Sequence, residues 1–323
     1  MFKEKVREFL KIQYYRMFVF SEFCKESIYY SKNFMLSSVT ENKLNYRMLM
    51  LIHSIEKGLC NKDNARPFAK AKVQELIKLV ELFETKNCNK NFAYNLALSI
   101  LEEYHKFYEK NSFTSEKEYS IVGEFIVNRK YTKLNCGMLE YKPNIKNVDY
   151  LELVQSRHSV RNFSNEKVSL DEIKYAISAA ISSPSACNRQ MIKTYYYPNS
   201  TKKNEIISQY AQGLSGFDKE NINYCIITYD ENSLCIPGEK NQGMLNSGLF
   251  SMNFVNALHS KNIGSCFIQF GNKMNEEKKL KEKLEIKNNE RVAVIIALGK
   301  YREVNYVPIS CRKDVEDILV VEE

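Results

Sequence analysis

Residues 151–190 read LELVQSRHSVRNFSNEKVSLDEIKYAISAAISSPSACNRQ, and this stretch carries the most informative pattern in the chain. Two arginines, Arg157 and Arg161, lie within five residues of each other. A guanidinium group always carries charge, and its planar fork matches the oxygen atoms of a phosphate. The spacing therefore indicates an anion-binding cluster, although two nearby arginines taken alone are more often a solvated surface pair.

A helix and then a polar loop are predicted after this cluster. Ser169 and Glu172 have the spacing of a capping box, and residues 173–181 form an amphipathic run with several small residues. Pro184 should end the helix, because proline restricts the residue before it and lacks an amide donor. The loop beyond it presents three hydrogen-bonding side chains, those of Ser185, Asn188 and Gln190.

The order of these residues resembles the opening signature of the FMN-dependent nitroreductase family. Its two clusters are Arg157, His158, Ser159 and Arg161, and then Pro184, Ser185, Ala186, Asn188 and Gln190. The resemblance resumes downstream at Asn246, Gly248 and Asn253, at residues 264–269, at residues 292–299, and at Ser310 and Arg312. It covers residues 148–323.

This resemblance implies an FMN cofactor and a set of residues that bind it. Three arginines, Arg157, Arg161 and Arg312, would neutralise the phosphate, while Ser159 and Asn188 would bond ribityl or ring oxygens. Backbone near Ser185 and Gly264 would face the flavin ring. The full set implied to bind the cofactor is Arg157, His158, Ser159, Arg161, Pro184, Ser185, Ala186, Asn188, Gln190, Gly264, Ser265, Cys266, Gln269, Ser310 and Arg312.

The resemblance also implies a reaction and an assembly. NADH or NADPH would reduce the flavin and leave, and a small organic electron acceptor, such as a nitro compound, a quinone or a pathway intermediate, would take its place. Because the cofactor carries the electrons, no acid–base pair is required, and no catalytic residue is assigned. Relatives of this kind form homodimers with the flavins at the subunit boundary. A long apolar pattern over residues 245–258 and a tail over residues 304–321 could supply such an interface.

Several positions depart from the family pattern. Met191 and Ile192 follow Gln190 where proline and an aromatic residue are frequent, and Asn262 stands where glycine is usual. His158 replaces a second arginine, and Gln269 stands where several relatives have an acidic residue or glycine. These departures leave the substrate pocket and the choice between NADH and NADPH open.

The predicted fold class is α+β, with a nitroreductase-like, mainly antiparallel sheet flanked by helices and preceded by an all-helical N-terminal domain. Strand-like composition occurs at residues 194–197, 224–229, 265–270 and 291–298, and a long helical pattern occupies residues 243–261. Helices and strands are mixed without strict βαβ repetition, which favours an α+β sandwich. The predicted domains are residues 1–147 and 148–323.

The first domain reads as helical. Residues 1–35, 45–59 and 91–109 have helical spacing of apolar residues, whereas residues 111–150 read as a linker. The segment from HSIEKGL to Phe68 resembles a short helical leader found ahead of some nitroreductase-like proteins of bacterial polysaccharide gene sets. Glu102 and His105 have the spacing used in four-helix di-iron sites, but those sites need two such copies and only one is present. No metal site is predicted.

Composition narrows the location and the partners. The nine cysteines are odd in number and show no metal-ligand spacing, so reduced thiols in a cytoplasmic protein are expected. Lys and Arg outnumber Asp and Glu by 25 to 18 in residues 1–150, but by only 22 to 21 in residues 151–323. The chain has no run of five or more like charges and no basic stripe interleaved with a known nucleic-acid-recognition motif, so nucleic-acid binding is not expected. Neither a signal peptide nor an integral membrane segment fits the sequence.

Two other functions stay open at this stage. One is a flavin-binding protein that catalyses no reaction and acts as an interaction or assembly protein in polysaccharide biosynthesis. The other is a flavin oxidase or dehydrogenase that modifies a biosynthetic intermediate. Bound FMN that nicotinamides do not reduce would favour the first function, and oxygen consumption with a pathway substrate would favour the second.

Overall fold

A computed structural model describes residues 2–36, 38–59, 66–138, 149–214, 217, 219–235, 237–271, 273–305, 307 and 314–322. The predicted domain boundary between residues 147 and 148 lies outside these ranges, and the division into two domains stays a prediction. No helix among the described residues combines the length and the apolar character needed to cross a membrane.

The part of the chain before residue 139 is helical. Its helices are α1 (Phe2–Asn33), α2 (Glu41–Leu59), α3 (Lys70–Thr85), α4 (Phe92–Lys110) and α5 (Lys117–Val127). In α2, residues Leu44, Met48, Ile52 and Ile55 recur at helical spacing and are at most 1% exposed. They pack with apolar residues of α3, α4 and α5 into one core. The helices predicted over residues 1–35, 45–59 and 91–109 are confirmed.

The prediction of a linker over residues 111–150 is wrong in part, because α5 forms there. Val122 and Phe125 of α5 pack into the same core as α2 and α4. The apolar residues at positions 121, 122, 125, 126 and 127 span only two helical turns and are interrupted by Gly123 and Glu124, so the pattern is too short to predict a helix by itself. Tertiary packing supplies what the pattern lacked.

The first helix is seated on the rest of the molecule by polar contacts near its C-terminal end. Glu22 accepts a hydrogen bond from the Met274 backbone amide at 3.4 Å, and Glu26 lies 3.5 Å from Arg291. Further towards its start, α1 exposes large apolar side chains, among them Phe9, Met17 and Phe20.

In the second part of the chain, the described residues form a four-stranded sheet and five α-helices. Its helices are α6 (Tyr150–Ser156), α7 (Leu170–Ile181), α8 (Lys203–Tyr210), α9 (Gln242–Ser260) and α10 (Met274–Leu284). Its strands are β1 (Ile192–Tyr197), β2 (Asn223–Asp230), β3 (Ile263–Ile268) and β4 (Glu290–Lys300). The strand order is β1-β2-β4-β3, and every neighbouring pair is antiparallel.

Helices cover both faces of this sheet. Side chains alternate along β2, as the period of a strand requires. Cys225 and Ile227 pack with α7 and α9, whereas Tyr224 and Ile226 belong to the core that includes residues of α8 and α10. This helix-flanked antiparallel sheet, preceded by a helical N-terminal part, confirms the predicted fold class.

The predicted start of α7 is also confirmed. The Ser169 hydroxyl accepts a hydrogen bond from the Glu172 backbone amide, and the Glu172 carboxylate accepts one from the Ser169 backbone amide at 3.0 Å. The helix ends at Ile181, three residues before Pro184. The capping box and the proline thus set the bounds of α7, and the polar loop of residues 184–190 follows it and leads into β1.

Candidate functional site

The first predicted cluster lies against the free edge of β3. Ser159 forms an isolated parallel bridge with Ser265, and the Val160 backbone amide donates a hydrogen bond to the Ser265 carbonyl at 3.0 Å. Gly264 permits this close approach, because an added Cβ atom would lie 3.2 Å from the Val160 Cβ and 3.0 Å from the Tyr301 ring. The predicted residues Ser159, Gly264, Ser265 and Cys266 are therefore brought together.

Two arginines of this cluster have unused hydrogen-bonding capacity. Neither Arg157 nor Arg161 forms an ion pair with a carboxylate in the described part of the chain. The Arg157 Nε atom is buried and has no hydrogen-bond partner there. Arg161 makes one long hydrogen bond, from Nη1 to the Ser159 carbonyl at 3.4 Å. A buried donor without a partner is costly, so this arrangement fits an anion that would accept from both guanidinium groups.

The positive charge of the cluster acts on its neighbours. Burial lowers the pKa of His259, and the charges of Arg157 and His158 lower it further. Burial raises the pKa of the Cys266 thiol, although Arg161 and Arg157 oppose this shift. The raised pKa favours the neutral thiol, which is the unreactive form, because the thiolate is the nucleophile.

Sequence reasoning missed two neighbours of the cluster, His259 and Tyr301. The His259 Nδ1 atom lies 2.8 Å from the Tyr301 hydroxyl, and its Nε2 atom lies 3.0 Å from the Ser156 hydroxyl. These three residues come from the end of α9, the segment after β4 and the end of α6. Their contacts are long-range, and no local pattern marks them.

The second predicted cluster, residues 184–190, is a tight turn with unfavourable backbone angles. Residues Ala186–Asn188 form one 3-10 turn, and Gln190 donates its backbone amide to the Ser185 hydroxyl at 3.1 Å. Cys187, Asn188 and Gln190 have φ angles of 50°, 51° and 49°. This left-handed conformation costs roughly 1–2 kcal/mol for a residue other than glycine, and somewhat less for asparagine. Other contacts must therefore hold the turn.

A buried arginine supplies those contacts. Arg189 is 0% exposed and forms a two-pronged ion pair with Glu239, at 2.9 Å and 2.7 Å. Its guanidinium group also donates to the carbonyls of Ala186 and Ser233. The Glu239 carboxylate accepts in addition from the Cys235 backbone amide at 2.8 Å. Sequence reasoning did not single out Arg189 or Glu239.

A cleft of about 200 Å³ opens beside this turn. Two segments form its walls: the stretch from the end of α7 to the start of β1, and the first half of α9. The lining residues are Ile181, Ser183, Pro184, Ser185, Gln190, Ile192, Asn246 and Phe250. Asn253 of α9 ties the walls together with a hydrogen bond to the Ser183 hydroxyl at 2.8 Å. The lining is mostly apolar and carries no charged side chain.

The two predicted clusters do not meet within one chain. Residues 184–190 precede β1 at one edge of the sheet, whereas residues 157–161 lie beyond β3 at the other edge. Helix α9 gives a second estimate of the distance between the clusters. Its residue Asn246 lines the cleft beside the turn, whereas its residue His259 contacts Ser156, next to the arginine cluster. At 1.5 Å per residue, these two positions on α9 are about 20 Å apart. The two clusters are therefore separate within one chain, and each is called a half-site below.

The other predicted site residues have varied surroundings. His158, Pro184, Asn188 and Gln190 are exposed, and Ala186 is partly buried. Gln269 is exposed, and its backbone pairs with that of Gln212 rather than with the arginine cluster. Ser310 and Arg312 lie outside the described residues. Within the described part of the chain, His, Cys, Asp and Glu side chains form no group of three or more that could hold a metal ion.

Comparison with known proteins addresses the segment that holds both clusters. Residues 154–221 match the Nitroreductase family model. The resemblance to nitroreductases is thereby confirmed for this segment, which runs from α6 to the turn before β2.

Solved structures of nitroreductases match about half of the chain. A nitroreductase family protein from Streptococcus pneumoniae TIGR4 has 22% sequence identity and a TM-score of 0.47, and the match covers 54% of this chain and 100% of that protein. An FMN-dependent nitroreductase from Clostridium difficile R20291 has 19% identity and a TM-score of 0.45, and the match covers 54% of this chain and 99% of that protein. No curated protein matches the chain.

Proposed function

We propose that the protein is an FMN-dependent oxidoreductase that passes electrons from NADH or NADPH to a small organic acceptor. The observation that supports this most is the arginine cluster, where, among the residues that the structure describes, Arg157 and Arg161 have no carboxylate partner and the buried Arg157 Nε atom has no acceptor. The terminal phosphate of a mononucleotide would satisfy these donors. The family match over residues 154–221 favours FMN as that mononucleotide.

The residues of the chain have binding and positioning roles in this proposal. Arg157 and Arg161 neutralise the phosphate, and Ser159 bonds the ribityl chain. Ser185, Asn188 and Gln190 contact the ring from the tight turn. FMN, when bound, supplies the centre that accepts and donates electrons, so the protein itself needs no acid–base pair. The mostly apolar cleft beside the turn would accept the nicotinamide and then an uncharged acceptor.

The separation of the half-sites supports a homodimer. One FMN could contact both clusters if the arginines of one subunit meet the turn of its partner. The solvent-exposed face of α9 offers a matching surface, because Leu245, Leu249 and Met252 are 58%, 41% and 38% exposed and lie on one side of the helix. Val315, Ile318 and Leu319 in the tail are also exposed. Exposed apolar surfaces of this extent are typical of subunit interfaces.

The helical N-terminal part is proposed as a separate domain, residues 1–147, that borders the flavin domain. Its apolar residues form their own core. Tyr46 of α2 also packs near Met191, which follows the turn, and donates a hydrogen bond to Asp230 at 3.2 Å. The helical domain would thus stabilise the turn by packing against residues next to it. Cytoplasmic location remains a prediction from the cysteine pattern.

Cofactor analysis of the purified protein tests the proposal. We expect a yellow protein that releases FMN rather than FAD after denaturation, with about one FMN per chain. The arginine cluster accounts for one terminal phosphate, and the sequence has no fingerprint for an adenine site. A colourless protein with no FMN affinity in calorimetry would refute the flavin proposal.

A further inference from the structure

The feature that the proposed function does not explain is the buried ion pair between Arg189 and Glu239. Arg189 is completely buried, and the side chain of Glu239 is 18% exposed. Buried ion pairs are weak sources of stability, because the loss of hydration offsets much of their attraction. Apolar residues of similar volume often do as well. The pair therefore needs a reason other than stability.

The contacts of Arg189 indicate that reason. Its guanidinium group joins three segments of the chain: the turn at Ala186, the stretch at Ser233, and Glu239 just before α9. The turn forms one wall of the cleft, and α9 forms the other. The pair thus fixes the distance between the two walls.

The backbone of the turn needs such a constraint. Arg189 lies between Asn188 and Gln190, which both have positive φ angles, and Cys187 before them has one too. Backbone of this kind persists only where surrounding contacts determine it. The groups that would contact the flavin, the backbone near Ser185 and the side chains of Asn188 and Gln190, belong to this same turn.

The geometry points to Arg189 and Glu239 as positioning residues for the flavin-facing turn. Arg189 is completely buried, so its side chain acts through the turn and not by direct contact with a ligand. Arg189 holds the turn in its strained conformation, and Glu239 orients Arg189 and relates the turn to the start of α9. The inference rests on the proposed function, because it assumes that the turn contacts a bound flavin.

The charge state of the pair agrees with this role. Burial alone would raise the pKa of Glu239, but the hydrogen bonds from Arg189 and from the Cys235 amide outweigh burial and hold the pKa at about 2. Glu239 is therefore ionised throughout the range in which an enzyme works. The ion pair between Arg189 and Glu239 therefore persists near neutral pH.

Two single substitutions and their double variant test the inference in the full-length protein with FMN as the probe. Arg189→Met keeps the volume and removes the charge, and Glu239→Gln keeps the shape and weakens the pair. Each should lower the FMN affinity by about tenfold or more, as expected for losing charged hydrogen bonds that fix a binding loop. The visible absorption band of bound flavin should also shift towards that of free FMN. The double variant should lose no more affinity than the weaker-binding single variant, because the two residues act as one unit.

A second ion pair provides a matched control. Arg129 forms a two-pronged pair with Glu84, at 3.0 Å from Nε and 3.0 Å from Nη2, within the helical N-terminal part. Arg129→Met should lower thermal stability without changing FMN affinity or the flavin spectrum.

The possible results separate the inference from the proposed function. A wild-type protein that binds no FMN overturns both. A wild-type protein that binds FMN, with Arg189→Met and Glu239→Gln unchanged within about twofold in affinity and unchanged in spectrum, overturns the inference alone. Equal losses in Arg129→Met and Arg189→Met would also overturn it, because a general loss of stability would then explain the effect. If Arg189→Met does not fold, the same comparison is made with Glu239→Gln.

Discussion

Two arginines of the candidate site have opposite surroundings. Arg161 is partly exposed and lacks a carboxylate partner in the described part of the chain, whereas Arg189 is completely buried and paired with Glu239. The sequence predicted Arg161 as a binding residue because its spacing from Arg157 is recognisable. It did not reveal Arg189, because burial and the partner at position 239 depend on the folded chain.

The geometry of the guanidinium group should matter at Arg161. Arg161→Ala should weaken FMN binding by roughly tenfold to a hundredfold, since charge-assisted hydrogen bonds contribute about 1.5–3 kcal/mol each. Arg161→Lys should lose less FMN affinity than Arg161→Ala, because lysine keeps the positive charge. It should still bind more weakly than the wild type, because lysine lacks the two-pronged fork of the guanidinium group. Titration of the apoprotein with FMN measures both affinities. Arg129→Ala, beyond α5 in the helical N-terminal part, is the control and should bind FMN as the wild type does. An Arg161→Ala protein of wild-type affinity would place Arg161 outside the site.

The pH dependence of stability should report on Glu239. Its pKa in the folded protein is about 2, below the ordinary value of 4.5. A lowered folded pKa stabilises the protein above pH 4.5, and this contribution is lost as the pH falls from about 4.5 towards 2. Urea unfolding at several pH values should therefore show a steeper acid loss for the wild type than for Glu239→Gln. Parallel curves for the two proteins would contradict the pKa that the pair implies.

At the scale of elements, the sequence predicted best where a local signal marks the end of a helix. Ser169, Glu172 and Pro184 bracket α7, and its bounds agree with those signals. Strand β2 was predicted from its β-branched and aromatic residues, and strand β4 from its almost continuous apolar run. Helix α5 was missed, because Val122 and Phe125 give too short a pattern without the core against which they pack.

The capping box of α7 gives a measurable contribution to stability. Ser169→Ala should lower the free energy of unfolding by about 1 kcal/mol, because it removes the acceptor for the Glu172 amide. Ser178→Ala, in the exposed middle of the same helix, is the matched control. It should change stability by less than about 0.5 kcal/mol, since alanine favours a helix interior. Chemical unfolding of the two variants decides the matter, and equal losses would show that the cap contributes nothing.

At the scale of the whole molecule, the placement of the two clusters could not be predicted from the sequence. Both clusters occur within residues 157–190, yet the sheet places them at opposite edges. The chain reaches β1 through α7 and returns to the arginine cluster only with β3, which no local pattern reveals. The resemblance implied a flavin at a subunit boundary, and two separate half-sites are the geometry that such a boundary requires.

Assembly and cofactor binding should therefore change together. Leu249→Arg places a charge on the exposed apolar face of α9 and should shift the protein from dimer to monomer while lowering its FMN content. Val127→Arg, at a residue that is 79% exposed on α5, is the control and should leave a dimer with full FMN content. Light scattering combined with absorbance measures both quantities in one experiment. A Leu249→Arg monomer with full FMN content would refute the shared site.

The most direct test of the proposed activity is an anaerobic titration of the purified protein with NADH and with NADPH, followed in the visible spectrum. We expect that at least one of the two nicotinamides bleaches the flavin band at about one equivalent per FMN, and that a quinone or nitro compound then restores it. A protein that holds FMN but is reduced by neither nicotinamide would contradict the proposed oxidoreductase activity.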